Sequence, residues 1–122
     1  INKFEVTLPV ADKITVDNFD IQNNTLYINC SGNGYKTIED KKDNKDKDNY
    51  HYFVKFDISD IKNPKLESYL AYETGITSFN GLVVEEKLSY IISNNSKTLF
   101  LLNNEKNISL NAKLEIDDLN LI

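Results

Sequence analysis

Acidic side chains crowd into one short run, Glu39-Asp40-Lys41-Lys42-Asp43-Asn44-Lys45-Asp46-Lys47-Asp48-Asn49, and the chemistry such a run suggests is cation binding. Asp43, Asp46 and Asp48 could offer hard oxygen ligands to Ca²⁺, which gathers several carboxylates and carbonyls around itself. The run lacks the mid-loop glycine and closing glutamate of an EF-hand loop. Lys45 and Lys47 also interrupt the acids, and five acids face four lysines. A mixed run of this kind reads as a solvated loop. No metal and no other cofactor is therefore expected.

His51 is the one histidine, within Tyr50-His51-Tyr52-Phe53. Strand alternation places His51, Phe53, Lys55 and Asp57 on one face and Tyr50, Tyr52, Val54 and Phe56 on the other. An imidazole oriented by a carboxylate would be a general base. Nothing in the sequence sets a nucleophile beside it, so His51 reads as polar surface at a loop edge. Cys30 is the single cysteine, which forbids an internal disulfide; it reads as a half-buried thiol at a strand end. Asp57 and Asp60 suit carboxylates that accept from turn amides. Carboxylate pairs also serve glycosidases, but Glu85-Glu86 and Asp117-Asp118 are neighbours, and strand neighbours point to opposite faces. Asn80-Gly81 and Ser31-Gly32-Asn33-Gly34 are turn signals. The second lacks the Gly-Lys-Ser/Thr ending of a phosphate loop. No catalytic or cofactor-binding residue is assigned.

The elements that must hold these residues come from a near-repeat. FDISDIKNPKLESYLAY (56–72) lies over FLLNNEKNISLNAKLEI (100–116) at an offset of 44, matching Phe56 with Phe100, Ile58 with Leu102, Leu66 with Leu110 and Leu70 with Leu114. FDIQNNTLYIN (19–29) lies over LVVEEKLSYII (82–92) at an offset of 63, matching Ile21 with Val84 and Tyr27 with Tyr90. The offsets differ by 19, an insertion in the first copy between residues 30 and 52. Periods of this length mark stacked β units. Each copy reads as four strands, 17–22, 25–30, 50–59 and 66–73, then 78–85, 87–93, 98–103 and 109–116. Val, Ile, Tyr, Phe and Thr crowd the runs and no helical period is sustained, so no helix is expected. Thr98-Leu99-Phe100-Leu101-Leu102 is apolar on both faces, which calls for cover on both sides. A four-stranded propeller blade between two others has such cover.

NNTLYIN (23–29), EKLSYII (86–92) and FDISDIKNPKLESYL (56–70) together resemble the LVIVD repeat, a β-propeller repeat with an apolar run ending in Asp, then Asp-Ile-Ser-Asp and an Asn-Pro turn. Asp57, Ser59, Asp60 and Pro64 carry the pattern in the first copy; the second has Leu101, Asn103, Asn104 and Ile108 there. The resemblance implies a propeller fold and an extracellular, cell-surface or periplasmic protein, and no chemistry. Phe4, Leu8 and Ile14 also match Leu66, Leu70 and Ile76 at an offset of 62, as the last strand of a blade would. The expected organisation is a piece of a longer propeller. Residues 1–14 end a preceding blade, 15–74 form a blade with a loop insertion near 31–49, 75–117 form a second, and 118–122 begin another.

Composition narrows the function. All fourteen cationic residues are Lys and the net charge is −5. Without Arg there are no guanidinium forks for phosphate, so nucleic acid is not an expected partner. No run is long enough to span a membrane as a helix. The fold class is all-β, two complete propeller blades of four antiparallel strands with partial flanking strands, and a β-sandwich is the alternative. The expected function is a non-catalytic binding or interaction module of an exported or cell-surface propeller protein, contacting a protein or a glycan through rim loops that include 30–49. Its remaining partners are the other blades of its parent or further copies. The alternatives are a fragment of a propeller enzyme with its site in the central channel, and a purely structural repeat.

Overall fold

A computed structural model describes residues 6–72, 79–85, 87–93, 98–104 and 107–115. The described residues are all-β apart from one helical turn. It forms two four-stranded antiparallel sheets, β1-β2-β3-β4 and β5-β6-β7-β8, each a meander in chain order. The first sheet holds β1 (Ala11–Gln22), β2 (Thr25–Gly34), β3 (Asp48–Asp57) and β4 (Lys65–Tyr72). The second holds β5 (Phe79–Val84), β6 (Leu88–Ser93), β7 (Thr98–Asn103) and β8 (Ser109–Glu115). The β1–β2 turn is Asn23-Asn24, with Asn23 at a φ of 56°, a left-handed conformation that asparagine tolerates better than most residues.

The repeat is real, and its register differs from the sequence alignment at one strand. In the first sheet Lys55 pairs with Ser68 and Phe56 with Leu66 across a bulge. In the second, Leu101 pairs with Ala112 and Leu102 with Leu110 across the same bulge. Phe56 is thus equivalent to Leu102, not Phe100, and the third strands match at 46 while the fourth strands keep 44. A slip of two residues leaves every side chain on its own face, so the hydrophobic pattern matched either way. The second-strand offset of 63 holds, and so does a bulge in the first strand: Asp17 is the extra residue between Val16 and Asn18, as Asn80 is between Phe79 and Gly81.

With offsets of 63 and 46, the insertion in the first copy is 17 residues rather than 19. Much of it is not loop. Cys30–Gly34 and Asp48–Tyr52 pair with each other and lengthen the β2–β3 hairpin. Ser31-Gly32-Asn33-Gly34 and Asn80-Gly81 therefore lie in strands, not turns. The rest of the insertion carries the helix that the sequence did not suggest, α1 (Ile38–Lys42). Thr37 caps it, its Oγ1 accepting from the Asp40 amide at 3.1 Å, and acids occupy its first turn and lysines its last. Five residues are too few to show a period. β1 also starts earlier than expected, so Ala11–Ile14 belongs to the first sheet. Phe4, Ile76, Glu86, Asp117, Asp118 and residues 118–122 lie outside the described residues.

The sheets join face to face. Tyr27, Phe53 and Tyr72 of the first pack on Val84, Ile91, Phe100, Leu102 and Ile108, with Leu70 and Leu82 at the margin. Tyr72 and Phe100 meet at 5.3 Å between ring centroids, and Tyr27 stacks on Phe53 at 6.1 Å. Lys55 Nζ donates to the Asn104 carbonyl (3.3 Å) and the Ile108 amide to Ser68 Oγ (3.1 Å). β1 and β5 run beside each other, so the sheets are closest along their first strands. The opposite face of the first sheet has its own core of Leu26, Ile28, Cys30, Tyr52, Val54 and Phe56, covered by Leu8 and Val10. The two faces of β7 differ in cover among the described residues: Phe100 and Leu102 are fully buried, while Leu99 and Leu101 are half-buried.

Phe100→Ala removes a fully buried ring from the contact between the sheets and is expected to cost about 3–5 kcal/mol in urea unfolding. Phe19→Ala, at a ring 67% exposed, is expected to change stability by less than about 0.5 kcal/mol. Equal losses would mean that the two rings are equally packed.

Candidate functional site

A buried polar cluster lies on the face of the first sheet turned to the second. The lengthened hairpin sets His51 opposite Ser31 on β2 and Tyr72 on β4. The bulge at Asp17 turns a carboxylate to the same place. Asp17 Oδ2 stands 3.9 Å from His51 Nδ1, with the two side chains 17% and 5% exposed. Below them the Tyr72 hydroxyl donates to Asn29 Oδ1, and Asn29 Nδ2 donates to Asn18 Oδ1 at 3.5 Å. The rings of His51 and Tyr72 lie tilted, 6.3 Å apart.

Burial governs this group electrostatically. It pushes the Asp17 carboxyl above its ordinary 3.8, and His51 pulls it partly back. It raises the Tyr72 hydroxyl well above its usual value, which keeps that group a neutral donor. Cys30 lies next along β2 but on the opposite face, inside the other core. Its thiol points to the Tyr52 carbonyl at 3.7 Å and burial pushes it up to about 12. Cys30 and His51 thus form no thiolate–imidazole pair, and an unionised thiol is a poor nucleophile. The structure corrects two expectations. His51 is core, not polar surface, and Cys30 is fully buried within β2 rather than half-buried at its end.

Asp17 escaped the sequence reading. Its one sign was an acid within the apolar alternation of Ile14, Val16 and Phe19, and only the bulge brings it to His51. Asp57 is not part of the cluster. Its Oδ1 accepts from the Ser59 amide at 2.9 Å, which holds its carboxyl below the usual value. Asp60 accepts from the Lys62 amide (3.2 Å) and from Asn63 Nδ2 (3.0 Å). Both shape the β3–β4 turn, as their sequence context suggested. Asp43, Asp46 and Asp48 are exposed. Asp43 caps α1, and Asp48 Oδ1 accepts from the Asn49 amide at 2.8 Å. Among the described residues no three His, Cys, Asp or Glu side chains are grouped to hold a metal ion.

Asp17 and His51 stand too far apart at 3.9 Å for a hydrogen bond between them, and both side chains are largely withdrawn from solvent. Among the described residues the molecule offers solvent a shallow pocket of about 270 Å³ between α1 and the edge strand β4, and exposed apolar side chains on both sheets, Phe19 and Ile21 on the first and Val83 and Leu114 on the second. No described helix is long and apolar enough to cross a membrane. Scans of family models, curated proteins and solved structures find no match to the chain.

Two outcomes follow from the buried groups. A carboxyl raised on folding binds its proton more tightly in the native state, so stability falls as pH climbs from 3.8 through the raised value. Asp17→Asn cannot ionise, and it is expected to gain stability relative to the parent across that interval in urea titrations. The reverse slope would mean that the ionised carboxylate is the favoured form. Cys30 is expected to resist alkylation in the native protein and to react fully in denaturant; fast native modification would contradict its burial.

Proposed function

We propose that the chain is a non-catalytic interaction module of a β-propeller protein, whose second sheet presents its outer face to a further sheet of the same repeat. One observation carries the reading. Tyr27, Phe53 and Leu70 of the first sheet pack on the second, and the repeat offsets reproduce them on the second sheet as Tyr90, Leu99 and Leu114. Among the described residues that second set is only partly covered: Leu114 is 46% and Val83, on the same sheet, 54% exposed, and Tyr90, Leu99 and Leu101 are half-buried. An apolar face of this kind on a soluble domain marks an interaction site. Its chemistry favours a protein surface over a glycan, which would call for polar groups at the contact.

The sheets repeat head to tail, an arrangement that closes into a ring or continues as a stack. A strand order of four consecutive antiparallel strands, with the first strands closest, is what a propeller blade requires. Placement outside the cell or at its surface rests on the resemblance to the LVIVD repeat alone. A channel enzyme remains the second reading; its site would be built from blades beyond these two.

The isolated chain is expected to associate as its concentration rises and to bind an apolar dye. Val83→Lys and Leu114→Lys are expected to return it to a 14.0 kDa monomer in light scattering and to lower dye fluorescence at least twofold. A strict monomer that binds no dye would overturn the proposal.

A further inference from the structure

The other outer face is already occupied, by a segment that is not part of either sheet. Leu8 and Val10 are 6% and 1% exposed and close the core of Ile28, Val54 and Phe56. At the offset of 62 they are the equivalents of Leu70 and Tyr72, the β4 residues that cover the second sheet. The surface beneath them repeats as well. Ile21, Ile28, Val54 and Phe56 correspond to Val84, Ile91, Phe100 and Leu102, the face of the second sheet that the first sheet fills. Val6–Val10 thus sits where the fourth strand of an incoming sheet would sit, and only that strand's place is filled. Phe19 at 67% and Ile21 at 52% exposure are left open; their equivalents Leu82 and Val84 pack into the contact between the sheets.

The segment is held lightly for so buried an element. It makes one bridge, Leu8 to Ala11. The Tyr35 amide donates to the Val10 carbonyl at 2.8 Å, and exposed Lys41 Nζ donates to the Pro9 carbonyl at 2.8 Å. The close fit depends on Gly34. A Cβ there would meet the Val10 carbonyl oxygen at 2.2 Å and the Ala11 Cα at 2.6 Å.

Resting on the reading of the second sheet's outer face as a stacking face, we propose that Val6–Val10 is a plug. It occupies the seat that β8 of a second copy would take and so stops the chain from stacking head to tail on itself. The second copy is the fitting occupant because its Tyr90, Leu99 and Leu114 reproduce the residues that fill the equivalent seat within one chain. With the plug in place, the first sheet's seat lacks room for an incoming fourth strand while the second sheet's face stays open, and association ends at two copies joined through that second face. With the plug out, each copy has both a donor face and an acceptor face, and growth is open-ended.

The test compares the parent chain, Gly34→Ala, Gly34→Ala with Leu114→Lys, and a chain lacking residues 1–10, by light scattering over a concentration series. Exchange of the Tyr35 amide reports whether Val10 has left. Gly34→Ala is expected to speed that exchange at least tenfold and to grow beyond two copies, Leu114→Lys to abolish the growth, and a peptide of residues 1–10 to cap it. The truncated chain is expected to stay folded by circular dichroism and to grow likewise. Released or truncated chains that stop at two copies would overturn the plug while leaving the stacking face intact. Growth unaffected by Leu114→Lys, or a truncated chain that unfolds, would overturn it too, the latter by showing the segment to be core. A parent chain that never associates would fail the earlier reading instead.

Discussion

The fold depends on one apolar contact, between Tyr27, Phe53 and Tyr72 on one side and Ile91, Phe100 and Leu102 on the other. A four-stranded sheet has two faces and too few residues to bury either alone. Each sheet here is therefore a surface for the next, and its stability is borrowed from a neighbour. The consequences run through the molecule. The strands closest to the shared edge are β1 and β5, and the lengthened hairpin and its helix lie within one sheet. The faces turned away from the contact also carry apolar side chains, Leu26, Ile28 and Val54 on the first sheet and Val83, Leu99 and Leu114 on the second.

The buried polar chain sits at the margin of that contact. Tyr72 shows how the two kinds of interaction share one residue: its ring packs on Phe100 while its hydroxyl donates to Asn29. Both partners belong to the first sheet, so the bond holds the Tyr72 ring in the orientation it presents to Phe100; a rotated side chain would leave the hydroxyl buried without a partner. Asp17 and His51 add titratable groups at little gain in packing.

Much of the fold was legible because face parity is robust. Phe56 and Phe100 looked equivalent, and the true partner of Phe56, Leu102, lies two residues on and points the same way. A period of two cannot distinguish these registers, so the strand positions came through while the alignment of the third strand did not. The helix at Ile38–Lys42 was missed because five residues carry only end marks, the Thr37 cap and acids ahead of lysines, and no apolar period. His51 was misplaced for a deeper reason: its burial comes from the lengthened hairpin, and its partner Asp17 arrives by a bulge. Neither is written in local composition. Asp57 and Asp60 could be read correctly because a turn carboxylate and its amide are neighbours in sequence.

β7 shows what two-sided apolarity costs in another setting. In Thr98-Leu99-Phe100-Leu101-Leu102 either face could be the inner one, so a one-residue slip would bury Leu99 and Leu101 with little hydrophobic penalty. The correct pairing is enforced from outside the strand, by the bulge at Leu101/Leu102 and by Asn104, whose amide nitrogen donates to Ser89 Oγ at 2.8 Å and to the Glu85 carbonyl at 3.3 Å. Until those anchors form, the nascent chain carries an uncharged, strongly β-prone segment, free of proline, of the kind that templates cross-β association. The same residues that make the sheet stackable thus make its folding a race between docking onto β6 and pairing with another unfinished copy.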